Sequence, residues 1–142
     1  MEPRRALDVA FSALRVRDLS TLELEERLAA KGYDERERQQ AVAELRRLGL
    51  LDDRRFAEGR AVSLAARGAG DLLIRDVLAR VGVDADIVEE ACAVLEPEAE
   101  RARLVVAKRG ASAKTARYLS AKGFATATVA GIVANDASDE IG

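Results

Sequence analysis

The side chains that most often perform chemistry are nearly absent from this chain. It has no histidine and one cysteine. The usual general base at neutral pH is therefore missing, and neither a Ser-His triad nor a histidine metal site can be assembled. Cys92 lies in Glu89-Glu90-Ala91-Cys92-Ala93, on the expected apolar face of a helix, where it reads as a small core residue and not a nucleophile. Asp52 and Asp53 are adjacent carboxylates. A metal or a general acid would need further ligands or an unusual environment, so the pair reads as a cap for the helix that carries Phe56. Gly68-Ala69-Gly70-Asp71 lacks the Lys-Ser/Thr and the preceding strand of a phosphate loop, so it reads as a helix junction. These observations point to a non-enzyme without cofactor or metal, acting by binding.

Charge is the next resource for binding. Formal charge is −2 over 142 residues, which disfavours a general nucleic-acid binder. Its distribution is uneven. Residues 51–100 carry twelve acids against six bases, whereas residues 101–123 hold Arg101, Arg103, Lys108, Arg109, Lys114, Arg117 and Lys122 and no acid at all. The acids of the C-terminal stretch, Asp136, Asp139 and Glu140, come later. Such a run is either a solvated helix face or a surface for an anionic partner.

These residues must be positioned by helices. Apolar content is 49%, aromatic content 4% and there are two prolines. The apolar residues are mostly Ala, Leu and Val, beside many Arg and Glu, and most of these favour helix. Leu7, Ala10, Phe11 and Leu14 step by three and four, as do Ile74, Val77, Leu78 and Val81, which predicts core-facing stripes. Three segments superpose on one glycine: Leu28-x3-Gly32-Tyr33, Leu78-x3-Gly82-Val83 and Leu119-x3-Gly123-Phe124. Each reads as a helix ending in a left-handed glycine, with the next apolar residue folding back. Extending the register places Arg17, Arg67 and Lys108 at equivalent positions, with Lys31 and Lys122 directly before glycines.

Each repeat is predicted to hold three helices: 5–17, 20–31 and 34–48, then 53–67, 70–81 and 84–95, then 97–109, 112–122 and 125–135. Ser20 with Glu23 forms a capping box, Asp34, Asp84 and Ser112 are expected caps, and Pro97 fits a first turn. The expected fold is all-α: three tandem three-helix repeats (1–50, 51–96 and 97–136) in an elongated curved array, with a flexible tail at 137–142. No apolar stretch is long enough to span a membrane and no secretory signal is apparent. With a single cysteine, a cytoplasmic protein is expected. A monomer is expected, because the repeats can satisfy one another.

Several segments together resemble the signature of the RecX family. They are Ala6–Leu14, Leu19-Ser20-x3-Leu24-x3-Leu28-x2-Lys31-Gly32-Tyr33, Leu48-Gly49-Leu50-Leu51-Asp52-Asp53-x2-Phe56-Ala57, Arg67-Gly68-x-Gly70-x3-Ile74-x3-Leu78-x3-Gly82-Val83 and Lys114-x2-Arg117-Tyr118-Leu119-x2-Lys122-Gly123-Phe124. The resemblance spans about residues 5–135 in order. It implies three tandem three-helix units without catalytic activity. It further implies binding in the groove of the RecA recombinase filament on single-stranded DNA, with inhibition of ATP turnover, strand exchange and stimulated repressor self-cleavage. That would place the chain in the control of homologous recombination, DNA repair and the SOS response. Departures from the family pattern are Asp71 after Gly70, Arg38 at a usually apolar position, and Gly59-Arg60 where an aromatic residue is common.

The residues expected to face filament or DNA are Arg17, Lys31, Arg67, Lys108, Arg109, Lys114, Arg117 and Lys122. The same side chains could simply favour the dipole at helix C-termini. Tyr118 and Phe124 are either stacking platforms or core. The competing functional readings are a helix-turn-helix nucleic-acid binder that acts without a recombinase, and a scaffold for an unrelated partner.

Overall fold

The computed structural model describes residues 5–132. The tail expected at 137–142, and the ends of the third repeat beyond Ile132, lie outside the described residues. Within them the chain is helical, without strands: α1 (Ala6–Val16), α2 (Thr21–Ala30), α3 (Glu35–Arg47), α4 (Asp53–Ala66), α5 (Asp71–Arg80), α6 (Ala85–Ala93), α7 (Glu98–Arg109), α8 (Ala113–Ala121) and α9, described over 126–132. No helix among the described residues is long and apolar enough to cross a membrane.

Local sequence explains where these helices begin. Ser20 and Asp34 each close a complete capping box, with Glu23 and Glu37 returning to the cap backbone. Asp52 accepts from the Arg54 and Arg55 amides, and Ser112 from the Thr115 amide. Asp84 occupies the expected N-cap position, but its side chain makes no capping bond. Pro97 sits one residue earlier than expected, at the N-cap of α7.

The ends follow one rule. At α2 the Gly32 amide bonds the Ala29 carbonyl, and the Tyr33 amide reaches back to the Leu28 carbonyl at 3.2 Å. This is a Schellman closure, and it gives the Leu-x3-Gly-apolar spacing its physical meaning. Val83 to Leu78 and Phe124 to Leu119 repeat it. So do Leu50 to Leu45 after Gly49 and Ala69 to Leu64 after Gly68, two copies of the pattern at other helix ends.

The helices pack in three groups, each around its own core. Leu24, Leu28 and Leu45 are fully buried between α1, α2 and α3. Phe56, Ile74, Leu78 and Val88 fill the space between α4, α5 and α6, together with Cys92, whose thiol is pushed up by burial and by the nearby Asp71. Leu119, Phe124, Ala102 and Val129 form a core between α7, α8 and the described part of α9.

Adjacent groups join through turns. The N-terminus of α2 abuts the end of α5: the Ser20 hydroxyl donates to the Val81 carbonyl at 2.6 Å, and Leu22 lies where a Gly82 side chain would be, 2.6 Å from an added Cβ. The N-terminus of α5 meets the end of α8 more tightly. The Gly70 and Leu72 amides donate to the Lys122 and Gly123 carbonyls at 2.8 and 2.9 Å. A Cβ on Gly70 would sit 2.4 Å from the Phe124 nitrogen. Gly123, at φ +88°, has Leu73 against it.

Side chains reinforce both joints. Asp53, expected only to cap α4, crosses to accept the Thr21 amide and hydroxyl. At the second joint Glu98 accepts from the Asp71 amide at 2.7 Å, the Ala125 amide at 2.9 Å and the Thr128 hydroxyl at 2.7 Å. Arg101 pairs with Asp71 and donates to the Ala69 and Glu96 carbonyls. Burial alone would raise the Glu98 carboxyl. The hydrogen bonds from Thr128, Asp71 and Ala125 and the charge of Arg101 outweigh it and hold the group below its ordinary value of 4.5.

Two outcomes follow. Gly70→Ala forces backbone apart and should lower stability by roughly 1–3 kcal/mol. Hydrogen exchange should then show the Gly70 and Leu72 amides opening while Leu28 in the first bundle stays protected; unchanged protection at Gly70 and Leu72 would contradict this joint. The second concerns pH. Because folding depresses the Glu98 pKa, its contribution is complete above about 4.5 and is lost as pH falls through the lower folded value. Urea midpoints of the wild type and Glu98→Gln should therefore differ at neutral pH and converge in acid; a constant gap would show that ionisation of Glu98 is not what stabilises the joint.

Candidate functional site

The expected binding cations sort into engaged and available groups. Arg17, at the C-cap of α1, pairs with Glu23 at 3.3 Å and donates to the Asp18 carbonyl. Lys31, at the C-cap of α2, is exposed. Both belong to the first bundle, and nothing in the structure joins them to the remaining six.

Those six gather on the third bundle and its border with the second. Arg67 and Lys108 line one cleft between α4 and α7, so two positions equivalent in the repeat converge in space. Lys122 reaches to the turn after α4, its Cε 3.5 Å from where a Gly68 Cβ would stand. The Arg109 guanidinium lies over the Tyr118 ring, 3.6 Å from its centroid, as a cation–π pair. Lys114 and Arg117 are exposed on α8, three residues apart and so on neighbouring positions of its surface. Among the described residues, none of these six forms an ion pair with a carboxylate.

Several cations elsewhere are engaged. Arg47 pairs with Glu44, Arg54 with Glu90, Arg55 with Asp18, Arg75 with Glu89 and Arg80 with Asp76. In the acid-free stretch itself, Arg101 is engaged with Asp71 and Arg103 with Glu100. Within residues 101–123 the available charge is thus narrower than the sequence tally.

The aromatic residues divide as well. Phe124 is 3% exposed and belongs to the core, with the Arg101 guanidinium 6.0 Å from its ring centroid. Tyr118 is half-buried and covered by Arg109. Asp52 and Asp53 are both occupied at helix N-termini, and Ser20 is fully buried at the first joint. Two residues that depart from the family pattern have structural tasks. Arg38 donates to the Tyr33 carbonyl at 2.6 Å and braces the α2–α3 turn, and Asp71 is the partner of Arg101. Gly59 has open space around it.

Residues 52–91 match the family model for the second three-helix domain of RecX. The chain is 36% identical over 126 residues to the regulatory protein RecX of Chromohalobacter salexigens, covering 82% of this chain and 83% of that one. It is 35% identical over 85 residues to the regulatory protein RecX of Legionella pneumophila, covering 60% of this chain. That match spans 57% of the Legionella relative, and the match to the Mycolicibacterium smegmatis relative spans 53% of its length. In fold, the chain is similar to the crystal structure of RecX from Lactobacillus salivarius, with a TM-score of 0.77 at 20% identity over 92% of this chain and 93% of that one.

The division into engaged and available cations has a measurable consequence. Single changes Lys108→Ala, Lys114→Ala and Arg117→Ala should each alter stability by no more than about 0.5 kcal/mol, as for surface sites without partners. Arg101→Ala strands Asp71 and two carbonyls and should cost roughly 1.5–3 kcal/mol. Urea denaturation separates the two classes. Equal losses at Arg101 and Lys114 would refute the division.

Proposed function

The chain belongs to the RecX family of regulatory proteins, and on that premise we propose that it binds the RecA recombinase filament on single-stranded DNA and restrains its activities. The observation that carries the reading is the group of cations on the third bundle, Lys108, Arg109, Lys114, Arg117 and Lys122, free of carboxylates among the described residues and continued by Arg67.

The mechanism is non-catalytic. Each Lys or Arg that meets a phosphate displaces condensed counterions, which gives affinity without sequence preference and makes it salt-dependent. Acidic protein surface in the same groove would be met by the same face. With a net charge of −2, the chain has no general attraction for DNA, so the cations act where a partner offers dense negative charge to one face. The joints at Gly82 and Gly123 hold neighbouring bundles in register, so a bound array would resist the subunit rearrangements that accompany ATP turnover and strand exchange. Inhibition of ATP hydrolysis, strand exchange and stimulated repressor cleavage would then share one cause. In this reading the protein acts as a monomer without cofactor, in the cytoplasm.

The test is ATP hydrolysis by a cognate RecA filament on single-stranded DNA, with the chain titrated in. The wild type should inhibit. The triple variant Arg109→Glu, Lys114→Glu, Arg117→Glu, shown to be folded by circular dichroism, should need roughly tenfold more protein or fail to inhibit. Inhibition by both proteins at equal concentration would move the binding face elsewhere. Absence of inhibition by the wild type, together with sequence-dependent binding to duplex DNA alone, would replace this reading with that of a helix-turn-helix binder.

A further inference from the structure

The cleft between α4 and α7 is a different kind of surface from the exposed cations of α8. Its apolar lining is mostly aliphatic: Ala65, Ala66, Leu104 and Val105, with Phe124. It holds about 290 Å³, at the lower end of ligand pockets and suited to one or two side chains. Helical register extends it. Val62 precedes Ala65 and Ala66 by three and four residues, on the same stripe of α4. Val62 and Leu104 are 55% and 59% exposed, so one large aliphatic side chain stands in solvent in the cleft and a second on the α4 stripe that leads from it.

Charge in the cleft is polarised. Arg67 and Lys108 stand where α4 and α7 end, and neither has a carboxylate among the described residues. Arg101 also lines the cleft, but Asp71 neutralises it. At the other end of the α4 stripe, one turn before Val62, lies Glu58. Along the α4 stripe the surface thus passes from Glu58 and Val62, beyond the cleft, to Arg67 within it.

We propose that this cleft docks a protein segment that presents one or two apolar anchors beside carboxylates, the anchors covering Val62 and Leu104 and the carboxylates reaching Arg67 and Lys108. The proposal deepens the function given above, and rests on it for the segment being part of the regulated protein partner and not of DNA. The lining decides between these two. Sequence-tolerant binding of single-stranded nucleic acid relies on exposed aromatic faces on which bases stack. Here Tyr118 is covered by Arg109, and Phe124 is buried. Aliphatic carbon with cations at one end instead matches recognition of acidic, apolar peptide motifs.

The test needs no recombinase. A displayed library of random peptides of about twelve residues is panned against the full chain. Enriched peptides, labelled with fluorescein, are then titrated by anisotropy against the wild type and two double variants, Val62→Asp with Leu104→Asp and Arg67→Ser with Lys108→Ser. All four positions are exposed, and thermal melts check that the variants fold. Enriched peptides should pair Asp or Glu with Leu, Ile or Phe, and each double variant should weaken binding by roughly tenfold. Failure to enrich any such motif, or equal binding by wild type and variants, overturns the proposal. A labelled oligothymidine that binds the wild type and is lost in the Val62, Leu104 variant would overturn it in favour of nucleic acid. Because the peptide readout contains no filament, its failure leaves the ATP-hydrolysis result standing, and the reverse also holds.

Discussion

The end of a helix leaves carbonyls without partners, and the start of one leaves amides. In this protein the two deficits meet. The glycine turn after α8 closes its own helix through the Phe124 amide, and its outward carbonyls, at Lys122 and Gly123, take the Gly70 and Leu72 amides at the start of α5. The partial positive charge of one helix start thereby faces the partial negative charge of another helix's end. No side chain can intervene. A Cβ on Gly70 would meet backbone at 2.4 Å, and one on Gly123 would meet Leu73 at 2.5 Å. Bundles of this size bury little core when separate, so their coupling through these turns bears directly on whether the array persists. The joint between α2 and α5 uses the same geometry with a looser chemistry, a serine hydroxyl in place of two amides.

This construction dictates where the charges go. Acids are needed at helix starts that face one another, and Asp53, Asp71 and Glu98 fill those places. Arg101 is drawn in with them, 11% exposed and held by Asp71 and two backbone carbonyls. The acidity of the middle of the chain is therefore partly structural, and the acid-free stretch that follows is its complement. Among the described residues, cations on α8 and at the end of α7 have no carboxylate partner: α8 carries no acid, and Glu98 and Glu100 of α7 are engaged at the joint and with Arg103. The carboxylates that couple the bundles and the cations proposed to meet an anionic partner therefore lie in different stretches of the chain.

How much of this is legible in sequence depends on range. Helix starts at Ser20, Asp34, Asp52 and Ser112 are read correctly because a cap and its amide lie within three residues. Helix ends are read correctly at Gly32, Gly82 and Gly123 because the closing bond spans five residues. The same spacing at Leu45-x3-Gly49-Leu50 and Leu64-x3-Gly68-Ala69 was available to the same reasoning. Partners farther apart are not legible. Ser20 is 61 residues from Val81, Asp53 is 32 from Thr21 and Glu98 is 27 from both Asp71 and Ala125. Nothing local marks them as more than caps and surface acids. For the proposed binding residues, repeat register brings Arg67 and Lys108 to one cleft. The same register offers Arg17 as an equal, and its place in the first bundle, paired with Glu23, sets it apart.

The position of Arg101 shows why a count of basic residues overstates a binding face. By sequence it is the first of seven cations in a run without acids. By structure its charge is neutralised by Asp71 and its hydrogen bonds run to the Ala69 and Glu96 carbonyls. Withdrawing it to meet a phosphate would leave Asp71 half-buried and unpaired, a penalty that a surface contact does not repay. Lys114 and Arg117 face no such conflict, since nothing folded depends on them. A residue that a partner can use must be one the fold can release. By that criterion the proposed face centres on α8 and the end of α7, held at a fixed place by the joint that Arg101 itself stabilises.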